Sequence, residues 1–327
     1  MKVVININLI ISSNDIRNLI RKIYDISEII DCKFIRRSFN DHYLIETKDN
    51  KYILRVYLNN KYYINDIDDF KFELDLLSFL NLKKLPVSYP IKNIKDEVLS
   101  KIIYKNEVRF ITMFSFATGT SIDTKLNKDI AIKFGQDIAK IHKESTEFRS
   151  IYKRYKIDAD YLIKEPIEML RKYSKKYNLN SINFSELAIT YLYKKIEEIP
   201  LNDETYGIIH GDLNPSNIHL DNEKNITIFD FDHCAYGFRI HDLAVIKLCY
   251  ENITYEHILK GYKSIRILLN NEEQMIDLYS NILLIRKYKD VLSMLKISDN
   301  EINKNFNEQE FITSGINELN CLIGKIN

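Results

Sequence analysis

Cysteine is scarce in this chain of 327 residues, and the four that occur, Cys32, Cys234, Cys249 and Cys321, form no C-x-x-C pair. Their number and spacing exclude a disulfide scaffold and match no zinc-binding pattern. No run of 18 apolar residues occurs, and Met1–Ile5 opens an alternating rather than a continuously apolar stretch. Neither a membrane-spanning helix nor a signal peptide is therefore predicted. We expect a cytoplasmic protein with reduced cysteines and no membrane partner.

An excess of charge of either sign is also missing. Lys and Arg number 47 against 46 for Asp and Glu, so the formal net charge is +1 at pH 7. This balance gives no support to nucleic-acid binding. The 45% hydrophobic content and 22 tyrosines are typical of a globular protein long enough for two lobes. The composition does not indicate an oligomeric state.

The most informative stretch of the chain is Ile209–Asn217, which is followed by Ile228–Asp232. Asp212 and Asn217 lie five positions apart, and Asp230 lies thirteen positions beyond Asn217. A catalytic loop of the form H-x-D-x-x-x-x-N, followed by a strand and a metal-binding Asp, is the pattern used for phosphoryl transfer from ATP. The order and spacing of these residues predict a phosphotransferase site.

Each residue of this motif has a predicted role. Asp212 would orient the acceptor hydroxyl and receive its proton. Asn217 and Asp230 would supply oxygen ligands to Mg²⁺. His210 is expected to hydrogen-bond the backbone around Asp230, and Asp232 is either an accessory metal ligand or a polar residue at a strand end. The alternative is a surface loop that contains these residues only because they form turns. Because both halves of the motif match the catalytic pattern, this alternative is disfavoured.

Phosphoryl transfer also requires a cation on the nucleotide phosphates, held by a carboxylate on a helix. Arg55 interrupts the apolar strand Tyr52–Tyr57, and Glu73 lies in the middle of the next predicted helix. We predict that the two side chains form this pair, with Arg in place of the more usual Lys. A surface Arg on an edge strand is the alternative.

No G-x-G-x-x-G loop is present to cover the phosphates. The short side chains of Ser38 and Asn40, between the first two predicted strands, and the neighbouring backbone amides are expected to take that place. Main-chain groups of Met113, Phe114 and Ser115 are expected to bond the nucleotide base. The nucleotide would be ATP or GTP, bound with Mg²⁺.

The apolar periodicity predicts an α+β fold, with strands and few helices first and a largely helical part after them. The first part has predicted helices at 13–30 and 66–80, strands at 34–37, 43–47, 52–58 and 109–114, and two short strands within 86–107. The second part has predicted helices at 129–142, 161–177 (or from 166), 185–199, 242–250, 255–269 and 272–295, and a weaker helical tail. We expect a nucleotide-binding lobe at 1–116 and a catalytic lobe at 117–327, with a helical substrate-binding insert at about 145–205.

These motifs resemble the superfamily of aminoglycoside phosphotransferases, choline kinases and type II homoserine kinases. The resemblance is carried by the catalytic motif, together with Ser38–Tyr43, Tyr52–Val56, Phe134–His142 and His241–Ala244. It implies a bilobal, protein-kinase-like fold with a mostly β N-lobe containing one key helix, and a helical insert before the catalytic loop. By the same resemblance Asp212 is the catalytic residue, Asn217 and Asp230 are the Mg²⁺ ligands, Arg55 contacts phosphate, and Asp242 is a buried residue that supports the catalytic loop.

The acceptor is less constrained by the sequence. Only twelve positions separate Asp230 from Asp242, and no A-P-E motif occurs. A protein kinase carries a long activation segment in this place, so the sequence favours a hydroxyl group of a small molecule, of the aminoglycoside, amino alcohol, homoserine or sugar type. A protein Ser/Thr kinase of the bacterial stress-response type and a nucleotide-binding pseudokinase remain the alternatives.

The predicted insert gives one further indication about the acceptor. Residues 151–200 contain ten Lys and Arg against seven Asp and Glu, which weakens the case for a polycationic antibiotic. Arg154 and the lysines beside it are expected to form a solvated charged surface. Tyr155 and Tyr161 are expected to pack against the protein rather than to form a cage for an amine.

Overall fold

The computed structural model describes residues 9–59, 61, 63–179, 186–297 and 306–324. The chain divides into two compact units. The first contains the residues up to Gly119 with Ser150–Lys153 and Thr227–Phe229, and the second contains the rest from Thr120 onward. The lobe boundary at 116 stays a prediction. The N-terminal stretch and the helix start expected at Ser185 lie outside the described residues.

The first unit is built on a six-stranded antiparallel sheet in the order β1-β2-β3-β6-β4, with β5 also paired to β6. Its helices and strands are α1 (Ser13–Ile23), β1 (Ile29–Arg37), β2 (Asn40–Thr47), β3 (Lys51–Tyr57), α2 (Ile67–Leu82), β4 (Pro90–Ile91), β5 (Ser100–Tyr104) and β6 (Glu107–Ser115).

The first helix is shorter than predicted. Ser12 caps α1, its hydroxyl oxygen accepting a hydrogen bond from the Asp15 N–H at 3.1 Å. The helix ends at Ile23, and the backbone of Tyr24 is extended. The prediction of helix up to position 30 is therefore wrong, because the isoleucines after Tyr24 continue the helical spacing by coincidence. Ile29 and Ile30 instead begin β1, with Ile29 buried and Ile30 exposed.

The second helix brings a carboxylate into the interior of the first unit. Asp66 caps α2, and Asp69 completes a capping box by bonding back to the Asp66 N–H. One face of the helix buries Phe72, Leu76 and other apolar side chains. Glu73 lies fully buried on this helix, where a carboxylate requires a charged or hydrogen-bonding partner.

The second unit is mostly helical, as predicted. Its helices are α3 (Lys128–Glu144), α4 (Glu165–Lys176), α5 (Glu186–Glu197), α6 (Ile240–Cys249), α7 (Asn252–Lys263), α8 (Asn270–Ile297) and α9 (Glu308–Gly324). A π-helical turn at Asp160–Lys164 leads directly into α4. Its strands are β7 (Thr120–Ser121), β8 (Lys156–Ile157), β9 (Tyr206–Ile209), β10 (Ile218–Leu220), β11 (Ile226–Ile228) and β12 (Ala235–Phe238), although the last two residues of β11 belong to the first unit.

Two glycines allow the helices α3 and α7 to pack at very short distance. A Cβ atom on Gly135 would lie 1.9 Å from the carbonyl oxygen of Ile258, and one on Gly261 would lie 2.0 Å from that of Ile132. Any larger residue at either position would force the two helices apart. In the same unit, α6 packs against α8.

Short strands bring the two halves of the sequence motif together. In a three-stranded sheet, β12 lies between β8, to which it runs parallel, and β9, to which it runs antiparallel. Ile209, the last residue of β9, is opposite Ala235, the first residue of β12. The catalytic motif therefore begins beside the segment that follows Asp230. Among the described residues, no helix is both long and apolar enough to cross a membrane.

Candidate active site

The loop that carries Asp212 is anchored by a buried carboxylate. Beyond the end of β9, Asp242 Oδ2 accepts a hydrogen bond from the N–H of His210 at 2.8 Å, and Oδ1 accepts one from the N–H of Gly211 at 2.9 Å. Asp242 lies near the start of α6 and is fully buried. Two charge-assisted bonds to consecutive amides fix the path of the backbone directly before Asp212.

A histidine and a tyrosine complete the support of this carboxylate. His142 Nε2 lies 2.9 Å from Asp242 Oδ2, and His142 Nδ1 lies 2.9 Å from the hydroxyl oxygen of Tyr262. Burial lowers the pKa of His142 to about 4, so the ring is neutral at pH 7. The network then has one consistent tautomer, in which Nε2–H donates to Asp242 and Nδ1 accepts from Tyr262.

Asp242 is an anion in this network. Its burial alone would raise its pKa, but the hydrogen bond that His142 donates outweighs that effect and holds the pKa at about 2. The loop before Asp212 is thus tied to a carboxylate that stays ionised at neutral pH.

Gly211 is required by the backbone at the centre of the motif. Its φ of +82° lies in the left-handed region, and an added Cβ would lie 2.4 Å from the carbonyl oxygen of His233. The Gly211 carbonyl lies 3.4 Å from Arg286 Nη1, which is also 3.1 Å from His241 Nε2. His241 Nε2 also lies 3.3 Å from the Gly211 carbonyl oxygen, and burial lowers the His241 pKa to about 3.

Asp212 and Asn217 are in direct contact. The side-chain amide nitrogen of Asn217 donates to Asp212 Oδ2 and to the Asp212 carbonyl, both at 3.0 Å. The Asp212 N–H donates to His210 Nδ1 at 3.2 Å. Asn217 ends a short 3₁₀ turn that begins at Pro215, and its side chain is buried. The orientation of the Asn217 amide leaves Oδ1 as the atom that it can offer to a cation.

Asp230 follows β11 in the left-handed backbone conformation, with a φ of 64°. A single 3₁₀ turn, Phe231–His233, comes directly after it. The ring of Phe231 lies 4.3 Å from that of His210, so His210 contacts both halves of the motif. Asp232 is buried within this turn.

The donor set at this site fits Mg²⁺. Asp230 is half-buried, and its carboxylate and the amide oxygen of Asn217 are of the kind that would hold Mg²⁺ together with the phosphates of a nucleotide. The described part of the chain contains no cluster of three or more His, Cys, Asp and Glu side chains placed to hold a metal.

In the first unit, the structure brings together Arg55 and Glu73. Arg55 Nη1 donates to Glu73 Oε1 at 2.6 Å, and both side chains are buried. The guanidinium also lies over the rings of Phe114, 4.7 Å from its centroid, and Tyr57, at 5.6 Å. A planar cation is suited to pairing with a carboxylate while its face contacts an aromatic ring.

The turn that replaces the glycine-rich loop is shorter than predicted. Ser38 lies in it, and its N–H donates to the Asn40 carbonyl at 3.0 Å. Asn40 is the first residue of β2 and is only 1% exposed, so its side chain is not on the turn. Arg37 closes the base of the hairpin with bonds of 2.6 and 2.9 Å to the Asp41 carboxylate.

The backbone of β6 is already largely engaged where we expected base contacts. The Met113 N–H donates to the Tyr24 hydroxyl at 3.1 Å, and Phe114 is paired with strands on both sides. The Ser115 N–H donates to the Tyr89 carbonyl at 2.9 Å, and the Ser115 carbonyl accepts from the Ser88 hydroxyl at 2.7 Å. The N–H groups of Met113 and Ser115 are therefore engaged, which leaves carbonyl oxygens of this segment as the groups that can still accept a hydrogen bond from a base.

Several residues near the site were not recognised from the sequence. Arg286, Lys289 and Asp290 lie on α8, where Arg286 Nε is 3.1 Å from Asp290 Oδ2. Lys289 forms an ion pair with Glu165 and lies 3.4 Å from the ring centroid of Tyr161. One feature of the sequence could have identified them. Arg286 and Lys289 are charged residues at positions that, by helical spacing, fall among the buried apolar positions of α8.

The fold is shared with solved structures of kinases. The microcompartment-associated aminopropanol kinase superposes with a TM-score of 0.70 at 20% identity, covering 95% of each chain. The amicoumacin kinase hAmiN, solved with AMP-PNP, Ca²⁺ and amicoumacin, gives a TM-score of 0.74 at 16% identity, covering 94% of this chain and 93% of that one. The expected α+β, protein-kinase-like fold is confirmed.

The sequence identifies the family. The sequence model of the phosphotransferase enzyme family (APH) matches residues 31–262, more than half of the chain. A curated relative, the amicoumacin kinase of Bacillus subtilis strain 168, is 22% identical over 280 residues, which are 76% of this chain and 79% of that one. The chain belongs to the phosphotransferase enzyme family. The prediction of a phosphotransferase that acts on an alcohol group is thereby confirmed.

Proposed function

We propose that the protein transfers the γ-phosphate of ATP, with Mg²⁺, to a hydroxyl group of a small molecule. Similar proteins support this proposal, since they include an amicoumacin kinase, an aminopropanol kinase and a kinase solved with the ATP analogue AMP-PNP. The observation that carries it is the contact between Asp212 and Asn217 at 3.0 Å, on a loop that the buried Asp242 anchors.

In the proposed reaction, Asp212 accepts a hydrogen bond from the acceptor hydroxyl and takes its proton as the oxygen attacks phosphorus. Asn217 orients the Asp212 carboxylate through its amide nitrogen and presents Oδ1, with the Asp230 carboxylate, to Mg²⁺. When bound, Mg²⁺ neutralises the charge that develops on the phosphate oxygens. Arg55, held by Glu73, contacts the other phosphates of the nucleotide.

We assign supporting roles to the remaining predicted residues. Asp242 and His210 hold the catalytic loop, and Asp232 shapes the turn after Asp230. Ser38 and the backbone of its turn cover the phosphates. The base bonds main-chain carbonyls of Met113, Phe114 and Ser115 or groups that follow them, because the N–H groups of Met113 and Ser115 already have partners.

The segment after Asp230 supports a small acceptor rather than a protein. It consists of one 3₁₀ turn and the four-residue strand β12, and it then enters α6 at Ile240. A peptide substrate of a protein kinase docks along a long activation segment, for which this connection leaves no residues.

A screen of ATP consumption tests the proposal. The purified protein with Mg²⁺ is offered amino alcohols, homoserine, sugars, aminoglycosides and casein. Consumption that depends on one small hydroxyl compound and is lost in Asp212→Asn supports the proposal. Labelling of casein alone would instead indicate a protein kinase, and nucleotide binding without any consumption would indicate a pseudokinase.

A further inference from the structure

Two adjacent side chains bind three consecutive carbonyl groups just after Asp230. Arg154 Nε donates to the Cys234 carbonyl at 2.5 Å, and Arg154 Nη2 donates to the Asp232 carbonyl. The Tyr155 hydroxyl donates to the carbonyl of the residue between them, His233, at 3.2 Å. We call this set of contacts the carbonyl clamp. Every carbonyl from 232 to 234 is therefore bonded by a side chain of residue 154 or 155.

The clamp corrects our sequence interpretation of this segment. Arg154 was expected on a solvated charged surface, but it is only 8% exposed. Its guanidinium lies 4.7 Å from the ring centroid of Tyr155, and that ring stacks on Tyr161 with centroids 5.7 Å apart and an angle of 22°. Packing on the ring holds the planar group in the orientation that its two hydrogen bonds require. The expectation that Tyr155 and Tyr161 pack on the protein agrees with this stacking.

The backbone held by the clamp does not form regular pairing of its own. Asp230 has left-handed geometry, which costs a residue other than glycine on the order of 1 kcal/mol or more. The turn after it is closed by one bond, from the Cys234 N–H to the Phe231 carbonyl at 2.8 Å. Strand pairing begins only at Ala235, where β12 meets β9, and β8 joins at the next residue. The clamp supplies the bonds that the strands do not.

We infer that Arg154 and Tyr155 are positioning residues that fix the turn after Asp230 and thereby place its carboxylate for the metal–nucleotide complex. The inference rests on the proposed function, because it takes Asp230 as a ligand of Mg²⁺. The clamp also acts on the catalytic loop, since the oxygen of the His233 carbonyl lies 2.4 Å from the position that a Cβ on Gly211 would take. Arg is needed at 154 because one planar group must reach two carbonyls, whereas a lysine offers a single nitrogen.

Arg154→Lys and Tyr155→Phe test the inference with two readouts. The first is the Mg²⁺ affinity of the ADP complex, titrated by calorimetry with ADP in excess. We expect Arg154→Lys to weaken it about 10-fold or more, the usual scale for losing a partner of a ligand-bearing segment. Tyr155→Phe should give a smaller loss, and ADP binding without metal should change little in either variant. The second readout is amide hydrogen exchange in residues 231–236, which should become faster.

Arg149→Lys is the matched control. Arg149 also donates to two backbone carbonyls, from Nη1 to those of Thr146 and Phe148 at 2.6 and 2.7 Å, but in the loop after α3 and on the surface. Its variant should bind Mg²⁺ like the wild type. If Arg154→Lys does not fold, Tyr155→Phe alone tests the inference. This substitution removes one hydroxyl group and keeps the stacked ring.

The inference and the proposed function fail differently. A wild-type protein that binds ADP with no effect of Mg²⁺ would contradict the proposed function. Exchange in residues 231–236 that is unchanged in both variants would contradict the clamp, even with Mg²⁺-dependent binding intact. If a variant lost the same factor of ADP affinity with and without Mg²⁺, the inference would also be overturned. Such a result would indicate that Arg154 and Tyr155 have only a general structural role.

Discussion

At the scale of single residues, the account depends first on Asp212. Asp212→Asn keeps an oxygen that can accept the hydrogen bond from Asn217, so the loop should retain its structure. It removes the group that takes the proton, which typically contributes 10²–10⁴-fold to the rate. We expect the turnover number to fall by about that factor while ATP affinity stays within about twofold. An undiminished turnover number would remove Asp212 from the mechanism.

The buried pair of Arg55 and Glu73 gives a prediction about stability at the same scale. Arg55→Met leaves the Glu73 carboxylate buried without its cation, a change that costs roughly 3–5 kcal/mol for a buried pair. We expect a large loss of unfolding free energy in urea titrations. The double variant Arg55→Met, Glu73→Leu should recover much of it. A single variant as stable as the wild type would show that the pair does not hold α2 to the sheet.

At the scale of secondary structure elements, the crossing of α3 and α7 is the feature most sensitive to side-chain size. Gly135→Ala places a Cβ 1.9 Å from a backbone oxygen of α7, which the helices can relieve only by separating. We expect a fall in Tm of several degrees or insoluble protein. Gly324→Ala is the control, because Gly324 is the last residue of α9 and nothing lies within 4 Å of a Cβ built there. It should be neutral or slightly stabilising, and equal effects of the two substitutions would contradict the close crossing.

At the scale of the whole molecule, buried neutral histidines make stability depend on pH. Burial lowers the pKa of His142 to about 4 and of His241 to about 3, from an ordinary value of 6.5. Between about pH 6.5 and 4 the unfolded chain therefore binds more protons than the folded one. Each excess proton costs about 1.4 kcal/mol of stability per pH unit as the pH falls. Burial raises the pKa of Asp137 and Glu272, which offsets part of this loss.

Urea unfolding measured at several pH values tests this dependence. The free energy of unfolding that comes from keeping these histidines neutral should be fully present above about pH 6.5 and should decrease as the pH falls below that value. His142→Gln keeps a donor for Asp242 but does not titrate, so its stability should fall less steeply with acid. Equal slopes for wild type and variant would show that His142 is not held neutral.

The sequence predicted the parts of this molecule that local patterns determine. The spacing of Asp212, Asn217 and Asp230 depends on one hairpin, and the pairing of Arg55 with Glu73 follows from a strand and a helix with clear periodicity. The end of α1 was not predictable, because Ile26 and Ile30 are four positions apart, a separation that fits both helical and strand spacing. Arg154 was missed for a different reason. Its partners are backbone carbonyls 78 and 80 positions away, and backbone groups have no sequence signature.

The most direct test of the central claim follows the γ-phosphate of labelled ATP. The protein, Mg²⁺ and the compound selected by the screen are incubated with [γ-³²P]ATP, and small molecules are separated from protein. The account predicts label on the hydroxyl of the small compound, dependent on Mg²⁺ and absent with Asp212→Asn. Label on protein or only in free phosphate, at equal rates in the wild type and Asp212→Asn, would contradict it.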